Sequence, residues 1–290
     1  MSTRLIAPLA ALSIANAAFA APVPILNPGF EADFALPGTF PVGPITDWPN
    51  YDPDGIIAFA DNFTGVINPS GGGCFNGDDA PEGSNAALLY FNNRDAIGLG
   101  AAGIRQELNA ALEPDTTYTL TVEVGNIASC AGLPPFDNLG FFDLDGFPGY
   151  AVQLVAGGVV VAEDFNTLGG SIPEGEFRTS TVELVVGADH AQLGGVLEIR
   201  LLNLNEEDTP EDPGVEVDFD DVRLGATVNA TPCNAADLAA PRGVLDLDDI
   251  DTFVQAFLDS DASVDFAPPL DVFDLDDIDV FIQAFLSGCP

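Results

Sequence analysis

Three acids in four positions, Asp218-Phe219-Asp220-Asp221, sit within the closing strand Val215–Leu224. On a strand Asp218 and Asp220 share one face and Asp221 takes the other. A carboxyl on the buried face of such a strand can be kept neutral by desolvation and serve as a proton donor. A second set of acids lies further on: Asp237, Asp246, Asp248 and Asp249, then Asp265, Asp274, Asp276 and Asp277. Three acids within four residues repel one another, although each suits a helix N-cap. A hard divalent cation such as calcium removes the repulsion and takes oxygen ligands in this arrangement. The one histidine, His190, excludes a zinc site built on several histidines; its Gly-Ala-Asp-His-Ala setting reads as a loop between strands.

Two different units must position these acids. From residue 21 to 225 the pattern has period two: Tyr118, Leu120, Val122 and Val124 alternate with Thr117, Thr119, Thr121 and Glu123. Tyr150–Val155 and Val159–Ala162 flank Ala156-Gly157-Gly158, a hairpin signal. Phe177–Val186, Leu197–Asn203 and Val215–Leu224 read as further strands. Many short strands punctuated by turns predict a mainly β fold, a jelly-roll β-sandwich. After a polar linker at 226–232, residues 233–290 hold an internal repeat at an offset of 28, with 15 of 23 positions identical between Asp237–Asp259 and Asp265–Ser287. Each half ends in a helical stripe: Ile250, Phe253, Val254, Phe257 and Leu258, then Ile278, Phe281, Ile282, Phe285 and Leu286. Two such helices make a small core that needs a staple.

Composition narrows the function classes. The 290 residues carry 46 acids against 7 basic residues, a formal charge of -39, which argues against nucleic acid and anionic membranes as partners. Residues 1–20 read as a secretory leader, with Arg4, an apolar stretch and Ala18-Phe19-Ala20 as the cleavage site. No later run is long enough for a membrane span, so a secreted, soluble protein is expected. Export permits disulfides, and Cys74–Cys130 with Cys233–Cys289 keeps each bridge inside one unit.

Several motifs resemble known families. The C-terminal repeats resemble the duplicated calcium loop–helix of dockerin modules. That resemblance implies Asp237 and Asp265 at the first loop position, Asp249 and Asp277 near the closing one, and Asp246 and Asp274 as further ligands. It also implies a cohesin-like or cell-surface partner. The opening Asn27-Pro28-Gly29-Phe30-Glu31 with the closing Asp218–Leu224 resembles carbohydrate-binding-module jelly rolls, which implies a structural calcium near Glu31 and Asp221. Over most of Val23–Leu224, Ile45-Thr46-Asp47-Trp48, Tyr51-Asp52-Pro53, Ala80–Asn85, Gly146–Tyr150, Thr179–Val182 and Val217–Leu224 together resemble the Stig cyclases, which cyclise geranylated indole isonitriles. The likeness implies Asp218 or Asp220 as the acid promoting rearrangement. Trp48, Tyr90, Phe147 and Tyr150 are the candidate ligand-binding rings. Leu88 stands where an aromatic is expected.

Two readings follow. One is a secreted calcium-binding β-sandwich that binds an apolar or glycan small molecule and carries a dockerin-like attachment module. The alternative is a Stig-type cyclase acting on an apolar prenylated substrate. Leu88 tips the sequence toward binding, whereas 21 Phe against one Trp and four Tyr suits an apolar ligand better than a bare glycan. A glycoside hydrolase using two carboxylates is a third reading for which no pair stands out.

Overall fold

A computed structural model describes residues 20–59, 61–77, 79–92, 100–206, 214–229, 231–239 and 242–289. The predicted leader, apart from its last residue, lies outside these. The described residues form thirteen strands: β1 (Ala21–Val23), β2 (Asn50–Tyr51), β3 (Phe63–Ile67), β4 (Ala86–Tyr90), β5 (Ala102–Ala111), β6 (Thr116–Asn126), β7 (Cys130–Ala131), β8 (Phe141–Phe142), β9 (Tyr150–Ala156), β10 (Val159–Phe165), β11 (Glu176–Val186), β12 (Val196–Asn203) and β13 (Glu216–Val228). One sheet runs β11-β6-β13-β4-β3 with β1 beside β13; the other runs β10-β9-β12-β5-β2. The strand pairings are antiparallel, and the alternation that predicted a sandwich matches the burial of β6, where Tyr118, Leu120, Val122 and Val124 face inward. The β9–β10 hairpin turns at Gly157 and Gly158, both at positive φ, as the glycine pair requires.

Between the sheets, Phe30, Trp48, Leu89, Ile104, Leu154, Ile199, Val217 and Phe219 belong to one continuous core. A second core lies on the other face of the six-stranded sheet and includes Phe40, Ile67, Leu88, Ile127 and Leu144. Strand β4 therefore has both faces covered: Ala87 and Leu89 point to the first core, Ala86 and Leu88 to the second. Its unbroken apolar sequence, Ala-Ala-Leu-Leu-Tyr, is what a doubly covered strand needs.

Strand β13 is longer than the sequence suggests. Ala226, Thr227 and Val228, expected to begin a linker, continue the ladder opposite Tyr118, Thr117 and Thr116. The side of β6 not taken by β11 supplies partners for their backbone groups, which outweighs their loop-like composition.

In the C-terminal unit, α1 (Leu247–Leu258) and α2 (Leu275–Ser287) each start in a capping box, Asp246 with Asp249 and Asp274 with Asp277. Phe253 and Phe281, one from each repeat, stack with centroids 4.0 Å apart in a core that also holds Ala236 and Val264. The apolar stripe is narrower than its sequence implies, because Val254, Leu258, Ile282 and Leu286 are exposed. Cys233–Cys289 closes this unit and Cys74–Cys130 the sandwich, the pairing expected. No helix among the described residues is long and apolar enough to cross a membrane.

Candidate active site

The second core is not filled. It encloses a cavity of about 460 Å³, in the range of small-molecule sites. Its floor is the outer face of the six-stranded sheet, with Phe63 and Ile67 of β3, Leu88 and Tyr90 of β4, and Glu216 of β13. Its cover is the segment 127–144, which contributes Leu133, Phe136 and Phe142, with Leu139 and Phe141 largely exposed.

Local contacts hold this cover in place. β7 and β8 pair as a small hairpin. The Cys74–Cys130 disulfide ties the start of the cover to the loop after β3, and Ala128 N–H donates to the Cys74 carbonyl at 3.0 Å. Phe40 arrives on a chain segment that crosses β3 at Gly65, where a Cβ would lie 2.4 Å from the Pro41 carbonyl oxygen; only glycine permits this crossing. Phe40 N–H then donates to the Pro134 carbonyl, joining the crossing to the cover. The rings stack, tilt and meet edge to face: Phe63 stacks on Tyr90 at 4.9 Å, and Phe40 is tilted against Phe136 at 5.5 Å and meets Phe142 in a T shape at 5.9 Å.

The charged groups at this cavity are acidic. Asp61, Asp143 and Glu216 line it, beside the neutral Asn92 and Tyr90, and no basic side chain among the described residues does. The strand alternation that buries Val217 and Phe219 between the sheets turns Glu216, Asp218 and Asp220 to the cavity side. Glu216 is 5% exposed and borders the cavity; Asp218, fully buried, lies one pleat further along, opposite Leu88 of β4 and Gly125 of β6. A Cβ on Gly125 would come within 3.0 Å of the Asp218 Cβ and 2.6 Å of the Phe177 ring, so glycine here makes room for the acid.

Among the described residues no cation pairs with either carboxyl. The ion pairs of the described residues hold Arg105 and Arg200 at Glu198, Arg178 at Glu176 and Arg223 at Asp221. Both Asp218 carboxyl oxygens and Oε1 of Glu216 are buried without a hydrogen-bond partner. Burial pushes Glu216 up to about 8. Burial, and then the Glu216 charge, push Asp218 well above the ordinary carboxylate range. Tyr90, across from Glu216, is raised to about 12 by burial and then by Glu216 and Asp61. Asp220 differs: it accepts from Glu82 N–H and Asp221 N–H, both at 2.7 Å, although burial still raises it to about 8. The arrangement offers proton donation into an apolar, ring-lined space.

Only part of the sequence-derived site converges here. Tyr90 lines the cavity, and Leu88 joins it as an aliphatic wall. Trp48 and Tyr150 are fully buried in the first core instead: Trp48 Nε1–H donates to the Asn27 carbonyl, and Tyr150 O–H donates to Asp164. Phe147 packs against that same core, 6.2 Å from Tyr150. A glycine- and proline-flanked aromatic pair reads equally well as a wall or as a core, and here the core claims it. The sequence reading missed Glu216 and the rings Phe40, Phe63, Phe136 and Phe142. Glu216 stands two residues before Asp218 on the same face, a period-two signal that could have found it.

The expected calcium ligands fall into two groups. In the sandwich, the Glu31 carboxylate accepts from Ser84 N–H and Asn85 N–H, and Asp221 pairs with Arg223 at 2.6 Å. Among the described residues, the one close group of three metal-capable side chains is Cys233, Asp237 and Cys289, and its two sulfurs are joined to each other. In the C-terminal unit, Asp249 accepts from the N–H groups of Leu238, Ala239 and Asp246, and Asp277 from those of Phe266, Ala267 and Asp274. Asp246 and Asp274 cap their helices. Asp237 and Asp265 are different, because each keeps a buried Oδ1 with no partner while Oδ2 binds the loop backbone. Hard, unpartnered oxygens at the head of each loop fit calcium.

Comparison with known proteins agrees with this architecture. A crystal structure of a cyclase from Fischerella sp. TAU is 36% identical, covering 73% of this chain and 100% of that one, with a TM-score of 0.60. Two further Fischerella sp. TAU structures hold ligands. A Stig cyclase complexed with (3Z)-3-(1-methyl-2-pyrrolidinylidene)-3H-indole is 36% identical, covering 72% and 98%, with a TM-score of 0.61. A cyclase complexed with 4-(1H-indol-3-yl)butan-2-one is 37% identical, covering 73% and 100%, with a TM-score of 0.61. No curated protein matches. These likenesses favour the cyclase alternative over the binding-module reading to which Leu88 had pointed. The HpiC1 cyclase family model matches residues 21–225, all of the β-sandwich but the last three residues of β13, and the chain belongs to the HpiC1-like cyclases.

Proposed function

We propose that the sandwich is a Stig-type cyclase that isomerises an apolar prenylated indole, of the geranylated indole isonitrile class, by acid-promoted rearrangement and ring closure. The observation that carries this is Asp218: a fully buried carboxyl with no partner, beside a cavity walled by Phe40, Phe63, Tyr90, Phe136 and Phe142. A neutral acid in such a place protonates a ligand π bond more readily than an ionised one, and aromatic faces stabilise the positive charge that develops. Asp218 is favoured over Asp220, whose two N–H donors favour the carboxylate and oppose the loss of charge. The test is turnover of such a substrate to an isomer of unchanged mass, together with its loss in Asp218→Asn.

The C-terminal unit is proposed to be a dockerin-like attachment module on an exported protein, with calcium held at Asp237 and Asp265 and a cohesin-like or cell-surface partner. The support is the repeat, the capped helices and the two unpartnered buried oxygens. Bound there, calcium would neutralise the loop carboxylates. Chelation should lower the unfolding temperature of this unit while the helices' capping boxes persist. An unchanged melt in excess chelator contradicts the calcium assignment.

A further inference from the structure

We propose that Glu216 is a catalytic residue of this cavity, acting with Asp218 as a single acid and being the carboxyl that meets the ligand. The inference rests on the cyclase reading above and deepens it.

Geometry separates the two carboxyls. Glu216 borders the cavity, whereas Asp218 lies behind it along the same strand face and does not itself line the wall. Glu216 is 5% exposed and borders the cavity, and its buried Oε1 has no hydrogen-bond partner, so the side chain stands at a mostly apolar wall without an internal contact to hold that oxygen. A buried carboxyl left without a partner costs stability. Among the described residues its cavity neighbours are mostly rings and aliphatic groups, with Asp61 and Asp143 as further acids and Asn92 as an amide, and its strand partner in register is Tyr90.

The chemistry needs a group at this position. An isomerisation that begins with protonation must also lose a proton, since substrate and product have the same atoms. At rest the pair holds two protons. Glu216 gives one to a ligand carbon; the C–H bond forms with the electrons of a ligand π bond and leaves a cation. The remaining proton stays on Asp218, so the pair carries one negative charge, on Glu216, opposite the cationic ligand. After ring closure the pair takes a proton from a carbon next to the cationic centre, and the electrons of that C–H bond make the new π bond. Two protons are again on the pair, and no oxidant, reductant or second substrate is consumed.

The groups facing Glu216 set its pH behaviour. Asp218 lies along β13, Tyr90 opposite on β4, and Asp61 and Asp143 at the cavity rim; β6 carries Glu123 opposite Asp220, where Thr179 holds it. The acids among them favour the protonated form of Glu216 by like-charge repulsion, and burial does so more strongly. Turnover should therefore persist through neutral pH and fall as Glu216 ionises near pH 8.

The test compares wild type, Glu216→Gln, Asp218→Asn and the double variant in turnover of a geranylated indole isonitrile, with binding of 4-(1H-indol-3-yl)butan-2-one to confirm folded cavities. Each single variant should lose about 100-fold or more in kcat. The double variant should lose little more than the worse single one, because the two act as a unit. Glu216→Asp should recover part of the rate. If Glu216→Gln binds the probe and turns over at the wild-type rate while Asp218→Asn is inactive, the proposal is overturned and the cyclase reading stands. If wild type gives no isomer, both fall.

Discussion

Asp218 and Trp48 are equally buried, yet only one is satisfied. The Trp48 indole N–H reaches the Asn27 carbonyl at 3.0 Å, and its ring packs against Phe30. Asp218 reaches nothing. Trp48 is accordingly a core residue, and Asp218 is retained at a cost to the fold. That cost depends on pH. Glu216 and Asp218 have folded-state pKa values above their unfolded ones, so their contribution to stability is fully present below about pH 4 and is lost as pH rises toward 8. The unfolding temperature of wild type should fall between pH 5 and 8. Asp218→Asn should raise it at pH 8 and change it little at pH 4; a variant no more stable than wild type at pH 8 would contradict the burial argument. Tyr150 gives the opposite case. Its hydroxyl donates to Asp164, which also accepts from Ser180 and Thr167; burial would raise that carboxyl, but the donors outweigh it and hold it below its ordinary value. Tyr150→Phe should cost about 1–2 kcal/mol in denaturant unfolding, with probe affinity unchanged.

At the scale of elements, the cover over the cavity has little regular structure to hold it, and the Cys74–Cys130 bridge substitutes for a strand ladder. Replacing both cysteines by serine should weaken binding of 4-(1H-indol-3-yl)butan-2-one by about tenfold or more, while far-ultraviolet circular dichroism of the sandwich is preserved. Equal affinity in calorimetric titration would show that the cover closes without it. Gly125→Ala should be worse for turnover than for folding, because the added Cβ presses on Asp218 and Phe177. Much of this was legible beforehand. β6, the β9–β10 hairpin, β11 and β12 follow from alternation, and the helix starts follow from Asp246 and Asp274. The cover was not legible: Pro134, Pro135 and the short β7 and β8 have no period for a pattern to detect. The cavity rings were equally hidden, since Phe40, Phe63, Phe136 and Phe142 are far apart in sequence and are joined only by chain crossings that Gly65 permits. Tyr150 misled because a buried tyrosine and a ligand-facing one look alike until the partner of the hydroxyl is known.

At the scale of the whole molecule, two units with different needs share one acidic chain. The sandwich buries enough apolar surface to carry two unpaired carboxyls on β13. The C-terminal unit has a core of a few side chains around Phe253 and Phe281, closed by a disulfide at its ends. The family match ends at residue 225, so cyclase chemistry belongs to the sandwich and the repeats add a separate property. With 46 acids and 7 basic residues, self-repulsion is a general load on the fold, and added salt should raise the unfolding temperature through screening. The central claim is that a buried acid of the closing strand drives an isomerisation, and one measurement addresses it most directly: chromatography of a geranylated indole isonitrile incubated with the oxidised protein and with its Asp218→Asn variant. The account predicts a new peak of unchanged mass with wild type, reduced at least about 100-fold in the variant. A wild-type product that the variant forms at the same rate would contradict it.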